Sequence, residues 1–185
     1  MGEQHKKHNR REHLNDFHLN VAGEYVYDGA LYACQNDDAK QRRSKRAVWG
    51  MAAILTVAVA AGGCIPAPGM QNCFYVLLPY LGEFLGAASV IWALAKLGTD
   101  WSTVREYNYK KSVAVLPVRT AVTAVFSLLG IVCELIFFFV NDHAGQTFFA
   151  LLYVLLKLIA LLSVLVLRAE IMQAEWGKLP KKDNS

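Results

Sequence analysis

Residues 147–167 read TFFALLYVLLKLIALLSVLVL, a run of 21 residues in which Lys157 is the only charged side chain. An α-helix rises 1.5 Å per residue, so a run of this length crosses a hydrocarbon core of about 30 Å. The run is too long for a β-barrel strand and does not alternate apolar with polar residues. It predicts a transmembrane helix.

Three further apolar runs of similar character precede it. Residues 48–64 carry no charge, the second run includes Glu83, and the third includes Glu134 in its later half. Four such segments leave no amphipathic elements that could cover them in a soluble protein. The sequence therefore predicts an all-α integral membrane bundle of four transmembrane helices, at about 48–64, 73–97, 113–140 and 147–167.

The composition agrees with a membrane protein that has polar ends. Hydrophobic residues make up 55% of the chain and charged residues 18%, against roughly 45–50% and 25% in soluble domains. Residues 1–46 alone hold 9 of the 19 Lys and Arg and 7 of the 15 Asp and Glu. We expect a polar N-terminal segment (1–46), the bundle (47–168) and a C-terminal tail (169–185). A soluble enzyme, a disordered chain and a secreted disulfide scaffold are excluded.

The basic residues predict the orientation of the bundle. Lys and Arg number 9 in the N-terminal segment, 3 in loop 98–112 and 4 in residues 168–185, whereas loops 65–72 and 141–146 have none. By the positive-inside rule, both termini and the middle loop are cytoplasmic in the plasma membrane. Basic residues beside an anionic leaflet contribute about 1 kcal/mol each. The expected topology anchors, just before the first span, are Arg42, Arg43, Lys45 and Arg46.

Tyrosine-rich segments in the N-terminal part predict local structure at the membrane surface. Asp28-Gly29 lies between Tyr25-Val26-Tyr27 and Ala30-Leu31-Tyr32, which is a strong hairpin signal. A small β-hairpin and an amphipathic interfacial segment are both compatible with this pattern.

Four histidines in residues 1–20 have no recognised metal-ligand spacing and have basic neighbours, so we expect a solvated tail. They are His5, His8, His13 and His18. The sequence predicts neither a metal nor a cofactor.

Loop 98–112 combines aromatic with basic side chains, which is typical of the headgroup zone. The loop either anchors the chain at the interface or binds a cytoplasmic partner, and its cations require no nucleic-acid role. Together with the N-terminal tyrosines it forms the candidate partner surface: Tyr25, Tyr27, Tyr32, Trp101, Tyr107 and Tyr109.

Cys64 and Cys73 lie at opposite ends of the first outer loop, and a disulfide between them would persist on that side of the membrane. Membrane enzymes that pass electrons from disulfide formation to quinone are similar in architecture, being four-helix bundles with outer cysteines. Those enzymes carry a CxxC pair and a second outer pair, whereas loop 141–146 has no cysteine. We do not predict an enzyme.

Three charged residues fall inside the predicted spans, where charges are rare and often functional. Glu83 lies ten residues after Cys73 and Lys157 ten after Thr147, so both lie about 15 Å below the outer face. Glu134 is about 9 Å below that face, within reach of the lysine. Three interpretations are open. The cluster is a structural ion pair whose charges compensate each other, or its surplus carboxyl group exchanges a proton with a cationic substrate. In the third, the membrane helix of a partner supplies the missing cation.

Glu83 also lies inside a GxxxG pattern formed by Gly82 and Gly86, and small residues at this spacing let helices approach closely. The first span is rich in small residues too. We expect spans one and two to pack against each other, with self-association as the alternative.

No catalytic set or nucleotide-binding loop occurs in the sequence. The first prediction for function is an accessory, scaffold or regulatory subunit that acts through protein association in the membrane. The alternative is a small oligomeric transporter or channel, with the Glu83, Glu134 and Lys157 cluster as the coupling site.

Overall fold

The computed structural model describes residues 17–19, 23, 25–27, 29–141 and 147–180. Four helices in this part of the chain are long and apolar enough to cross a membrane, which confirms the predicted membrane bundle. They are α1 (Asp38–Cys64), α3 (Phe74–Leu97), α5 (Leu116–Val140) and α6 (Thr147–Gln173). Two short helices lie in the connections, α2 (Pro68–Asn72) and α4 (Glu106–Lys111).

Helix α1 begins ten residues before the predicted span, because the basic segment is itself helical. Ser44 in this extension is buried, and its hydroxyl donates to Glu170 Oε2 of α6 at 2.8 Å. Lys45 is half-buried, while the three neighbouring arginines are exposed. The expected topology anchors therefore lie on the first turns of a continuous helix.

Helix α6 packs against both α1 and α5, and α5 also packs against α3. The contact between α1 and α3 is smaller. An apolar cluster joins Leu55 and Val59 of α1 to Ala160 and Val164 of α6. The outward helix faces carry exposed leucine, valine and phenylalanine side chains, as lipid contact requires.

The GxxxG pattern packs within the chain, although against a different helix from the one expected. A Cβ atom on Gly82 would lie 2.5 Å from the ring of Phe126, and one on Gly86 would lie 2.6 Å from Thr123 Oγ1. Both contacts are with α5. The small residues of α3 thus admit side chains of span three and not span one.

Within the described residues, five short strands form two antiparallel sheets. Strands β1 (Phe17–Leu19) and β2 (Tyr25–Tyr27) form a two-stranded sheet. Strands β3 (Leu31–Cys34), β4 (Val104–Arg105) and β5 (Trp176–Lys178) form a second sheet in the order β4-β3-β5. The strands on either side of Asp28-Gly29 therefore exist, but the prediction that they pair with each other is wrong, because each pairs with a different segment.

The second sheet brings together three distant parts of the chain at one end of the bundle. Tyr32 of β3 lies opposite Val104 of the middle loop and Lys178 of the tail. We call this end, which carries β3, β4 and β5, the sheet end. The other end, which carries α2, is the loop end. Strands β3, β4 and β5 thus share one side of the bundle.

Candidate functional site

Glu83 of α3 and Lys157 of α6 form an ion pair inside the bundle. Lys157 Nζ contacts Glu83 Oε2, and the two residues are 2% and 0% exposed. The charges that sequence counting put at one depth are thus in direct contact.

Ser127 of α5 completes the coordination of Glu83. Its buried hydroxyl donates to Glu83 Oε1, so each carboxylate oxygen accepts a hydrogen bond. Two aromatic rings surround the ammonium group, since Lys157 Nζ lies 4.6 Å from the ring centre of Tyr80 and 5.1 Å from that of Tyr153. A cation over the face of an aromatic ring is attracted electrostatically. Side chains of three helices therefore compensate one another without solvent.

Gly130 lets the lysine lie close to α5. A Cβ atom on this glycine would lie 3.6 Å from Lys157 Cε and 3.8 Å from Nζ. Gly130 is four residues from Glu134, which is about one helical turn. Lys157 therefore packs against α5 at a residue one turn along the helix from the second acid.

The surroundings of the Glu134 carboxyl group differ from those of Glu83. Glu134 is 0% exposed, and neither of its carboxylate oxygens has a side-chain hydrogen-bond partner among the described residues; the Gly69 backbone lies beside one of them. One oxygen lies against Gly69 of α2, where it fills the space that a Cβ atom would need. The structure therefore joins Glu83 to Lys157 and leaves Glu134 apart from both.

Helix α2 covers Glu134 at the loop end. Ala67, Pro68 and Gly69 are buried, although the sequence predicted an ordinary outer loop here. The hydroxyl group of Tyr153 is also buried and has no partner in the described part of the chain. Glu134 and Tyr153 thus place polar groups without a described side-chain partner inside the bundle, and Glu134 lies directly beneath α2.

Sequence reasoning missed the polar stripe on α5 that lines this interior. The stripe recurs at intervals of three and four residues, which is the periodicity of one helix face. That spacing is the signal that could have revealed it. Its buried members are Thr120, Thr123, Ser127, Gly130 and Glu134.

Four aromatic side chains at the sheet end pack against one another as a cluster. Trp101 is 1% exposed and its ring centre lies 5.8 Å from that of Trp176. Tyr32 stacks on Tyr109 at 4.2 Å, and Tyr109 lies 5.9 Å from Trp176. The expectation that Trp101 contacts a partner is corrected: its side chain is enclosed by its own chain, and Tyr32 and Tyr109 are largely occupied in the same way.

Other aromatic residues at this end remain accessible. Tyr25 is 75% exposed, while Tyr27 and Tyr107 are half-buried. Lys111 Nζ donates to the Tyr107 hydroxyl at 2.7 Å. Tyr27 accepts a hydrogen bond from the Glu106 backbone at 3.3 Å. Tyr25 is therefore the predicted surface residue most available for binding.

The loop before Trp101 contains a perturbed carboxyl group. Ser102 donates to Asp100 Oδ1 from its hydroxyl at 2.6 Å and from its backbone N–H at 3.0 Å. These hydrogen bonds hold the pKa of Asp100 below its ordinary value, because they stabilise the charged form. Asp100 is thus a local structural group of the loop.

All four cysteines are free thiols in the structure. Cys64 is exposed and Cys73 is half-buried, and α2 lies between them in the chain. The expected bridge is therefore not formed: the intervening residues turn inward as a helix and do not close a tight reversal.

Residues 17–19, 23, 25–27, 29–141 and 147–180 contain no group of three or more metal-ligating side chains. Of the four N-terminal histidines, His5, His8 and His13 lie outside the described residues, and His18 lies in β1.

No protein-family model, curated protein or solved structure matches the chain.

Proposed function

We propose that the protein is an accessory, scaffold or regulatory subunit of the plasma membrane, with both termini in the cytoplasm. It acts by binding a partner at the sheet end and not by turning over a substrate.

The single observation that carries this proposal is the three-stranded sheet. Backbone hydrogen bonds join its segments, from Cys34 N to Trp101 O at 2.9 Å and from Leu179 N to Leu31 O at 2.8 Å. Short loops between spans need no such connection for crossing a membrane. A preformed surface that unites three chain segments supports a role in recognition.

The chemistry of this surface favours an acidic partner. Arg42, Arg43 and Arg46 are exposed at the start of α1, and Lys178 is exposed on β5. Tyr25 adds an exposed aromatic ring. Aromatic and arginine side chains are enriched in protein interfaces, and opposite charges steer association.

The interior supports the same proposal. Lys157 already fills the place that a cationic substrate would take beside Glu83, with Tyr80 and Tyr153 around it. A buried ion pair of this kind determines which helices pack against each other.

Transport or conduction by an oligomer is the second candidate, and one observation favours it. Glu134 is a buried acid with no side-chain partner in the described part of the chain, and such residues often mark ion or proton pathways. Loss of substrate flux in Glu134→Gln, with partner binding unchanged, would favour transport over association.

Affinity purification from native membranes in a gentle detergent tests the proposal. We expect one stoichiometric partner to co-purify with the unmodified chain and to be lost from Tyr25→Ala/Lys178→Glu. The control is Gln71→Glu, which changes an exposed residue at the loop end and should retain the partner. Equal recovery from all three proteins, or no partner at all, would contradict binding at the sheet end.

A further inference from the structure

Glu134 and Tyr153 carry buried polar side-chain atoms in the described part of the transmembrane helices. In the described part of the chain, the carboxylate oxygens of Glu134 and the hydroxyl of Tyr153 are buried without a side-chain hydrogen-bond partner, and only the Gly69 backbone lies beside the carboxylate. Burying polar groups without partners is costly, so each such group calls for an explanation.

The charge balance points to the explanation for Glu134. Two acids and one base are buried in the described part of the bundle, and the base, Lys157, contacts Glu83. Glu83 also accepts from Ser127 and is therefore compensated. An ionised Glu134 would leave one uncompensated negative charge at membrane depth, which is strongly disfavoured.

We propose that Glu134 is a proton-binding site. Its carboxyl group holds one proton beneath α2, so the interior of the bundle is electrically neutral. On release, the O–H bond breaks, the proton passes to water at the loop end, and the electron pair stays on the carboxylate. No oxidant or other reactant is needed.

The surroundings of Glu134 suit a group that gains and loses a proton. Lys157 packs against Gly130, which precedes Glu134 by four residues on α5. Helix α2 has no titratable side chain, since its sequence is PGMQN. The titratable groups on the other elements around this site are Cys64, Cys73, Tyr75, Tyr80, Glu83, Cys133, Tyr153 and Lys157. Lys157 is the only base among them.

The proton site does not depend on a partner at the sheet end. Transport by the second candidate mechanism would require such a site, whereas the site itself does not require transport. A test that detects the bound proton directly therefore tests the proton site independently of transport and of partner binding.

Infrared spectroscopy of the full chain in lipid vesicles at pH 7 detects the carbonyl stretch of a protonated carboxylic acid. We expect this band in the unmodified protein and in Glu106→Gln, the matched control at the sheet end. It should be lost in Glu134→Gln. Absence of the band from the unmodified protein, or its persistence in Glu134→Gln, would overturn the proposal.

Isotope labelling of glutamate carboxyl carbons keeps the test decisive if the variant fails to fold. In the unmodified chain the band must shift when glutamate is labelled. A band that does not shift belongs to another group, and the assignment to Glu134 is then wrong.

Discussion

At the residue scale, the Glu83–Lys157 pair determines how the bundle tolerates substitution. Removing one member of a buried ion pair leaves the other charge without compensation, at a cost of about 3–5 kcal/mol. Replacing both with apolar residues is often close to neutral. The pair is therefore expected to specify helix arrangement more than to add stability.

We predict that Glu83→Leu and Lys157→Leu each lower the free energy of unfolding by about 3–5 kcal/mol. The double variant should lose clearly less free energy of unfolding than the sum of the two single-variant losses, because it leaves neither member of this ion pair without its partner. Denaturant titration in detergent micelles measures all three values. Simple additivity would show that the two side chains do not interact.

The sequence placed Glu83 and Lys157 at one depth, because depth follows from counting residues along a helix. It could not decide which acid the lysine would contact, since a long side chain reaches both levels. That choice depends on helix rotation, which places Ser127 and Tyr80 beside Glu83 and Gly69 beside Glu134. The sequence did not mark Tyr153 as part of the polar interior, because it stands among apolar residues of the fourth span.

At the element scale, the packing of α3 on α5 depends on glycine. A Cβ atom on Gly86 would lie 3.3 Å from the Thr123 backbone as well as near its hydroxyl. Adding volume to a tight contact typically costs about 1–3 kcal/mol.

We predict that Gly86→Ala lowers the free energy of unfolding by about 1–3 kcal/mol. Gly50→Ala is the matched control, because a Cβ atom there would have no neighbour within 4 Å. It should leave the free energy of unfolding unchanged or raise it by up to about 1 kcal/mol, because alanine favours the helix more than glycine does. Equal effects of the two substitutions in thermal unfolding would argue against close α3–α5 packing.

The four long helices were predictable because length and apolarity alone identify them. Strands β4 and β5 were not, since segments of two and three residues have no period to detect and form only by pairing. The turn signal at Asp28-Gly29 was overridden when β3 paired with the middle loop and the tail instead. Local signals do not report such distant partners.

At the scale of the whole molecule, the aromatic cluster holds the sheet on the bundle. Trp101 packs with Trp176, and Lys45 Nζ lies 5.7 Å from the ring centre of Trp101. Trp92, in contrast, is an exposed tryptophan of α3.

We predict that Trp101→Ala destabilises the protein by about 3–5 kcal/mol, as for other buried aromatic residues. Trp92→Ala should have a much smaller effect on the same chemical unfolding curve. A comparable loss from both substitutions would mean that the sheet end is not a packed unit.

The proposed orientation has its own test. With the four native cysteines replaced by alanine, Gln71→Cys should react with a membrane-impermeant maleimide on intact cells. Lys178→Cys should react only after the cells are permeabilised. The reverse pattern would place the sheet end outside the cell.

The central claim is that this chain works in association with a different protein. Native mass spectrometry of the complex extracted from its own membranes tests that claim most directly. We predict a mass that exceeds a whole multiple of the 20.6 kDa chain by the mass of one stoichiometric partner. A mass equal to that of one or more copies of the chain alone would contradict it, and two or more copies would favour the oligomeric transporter.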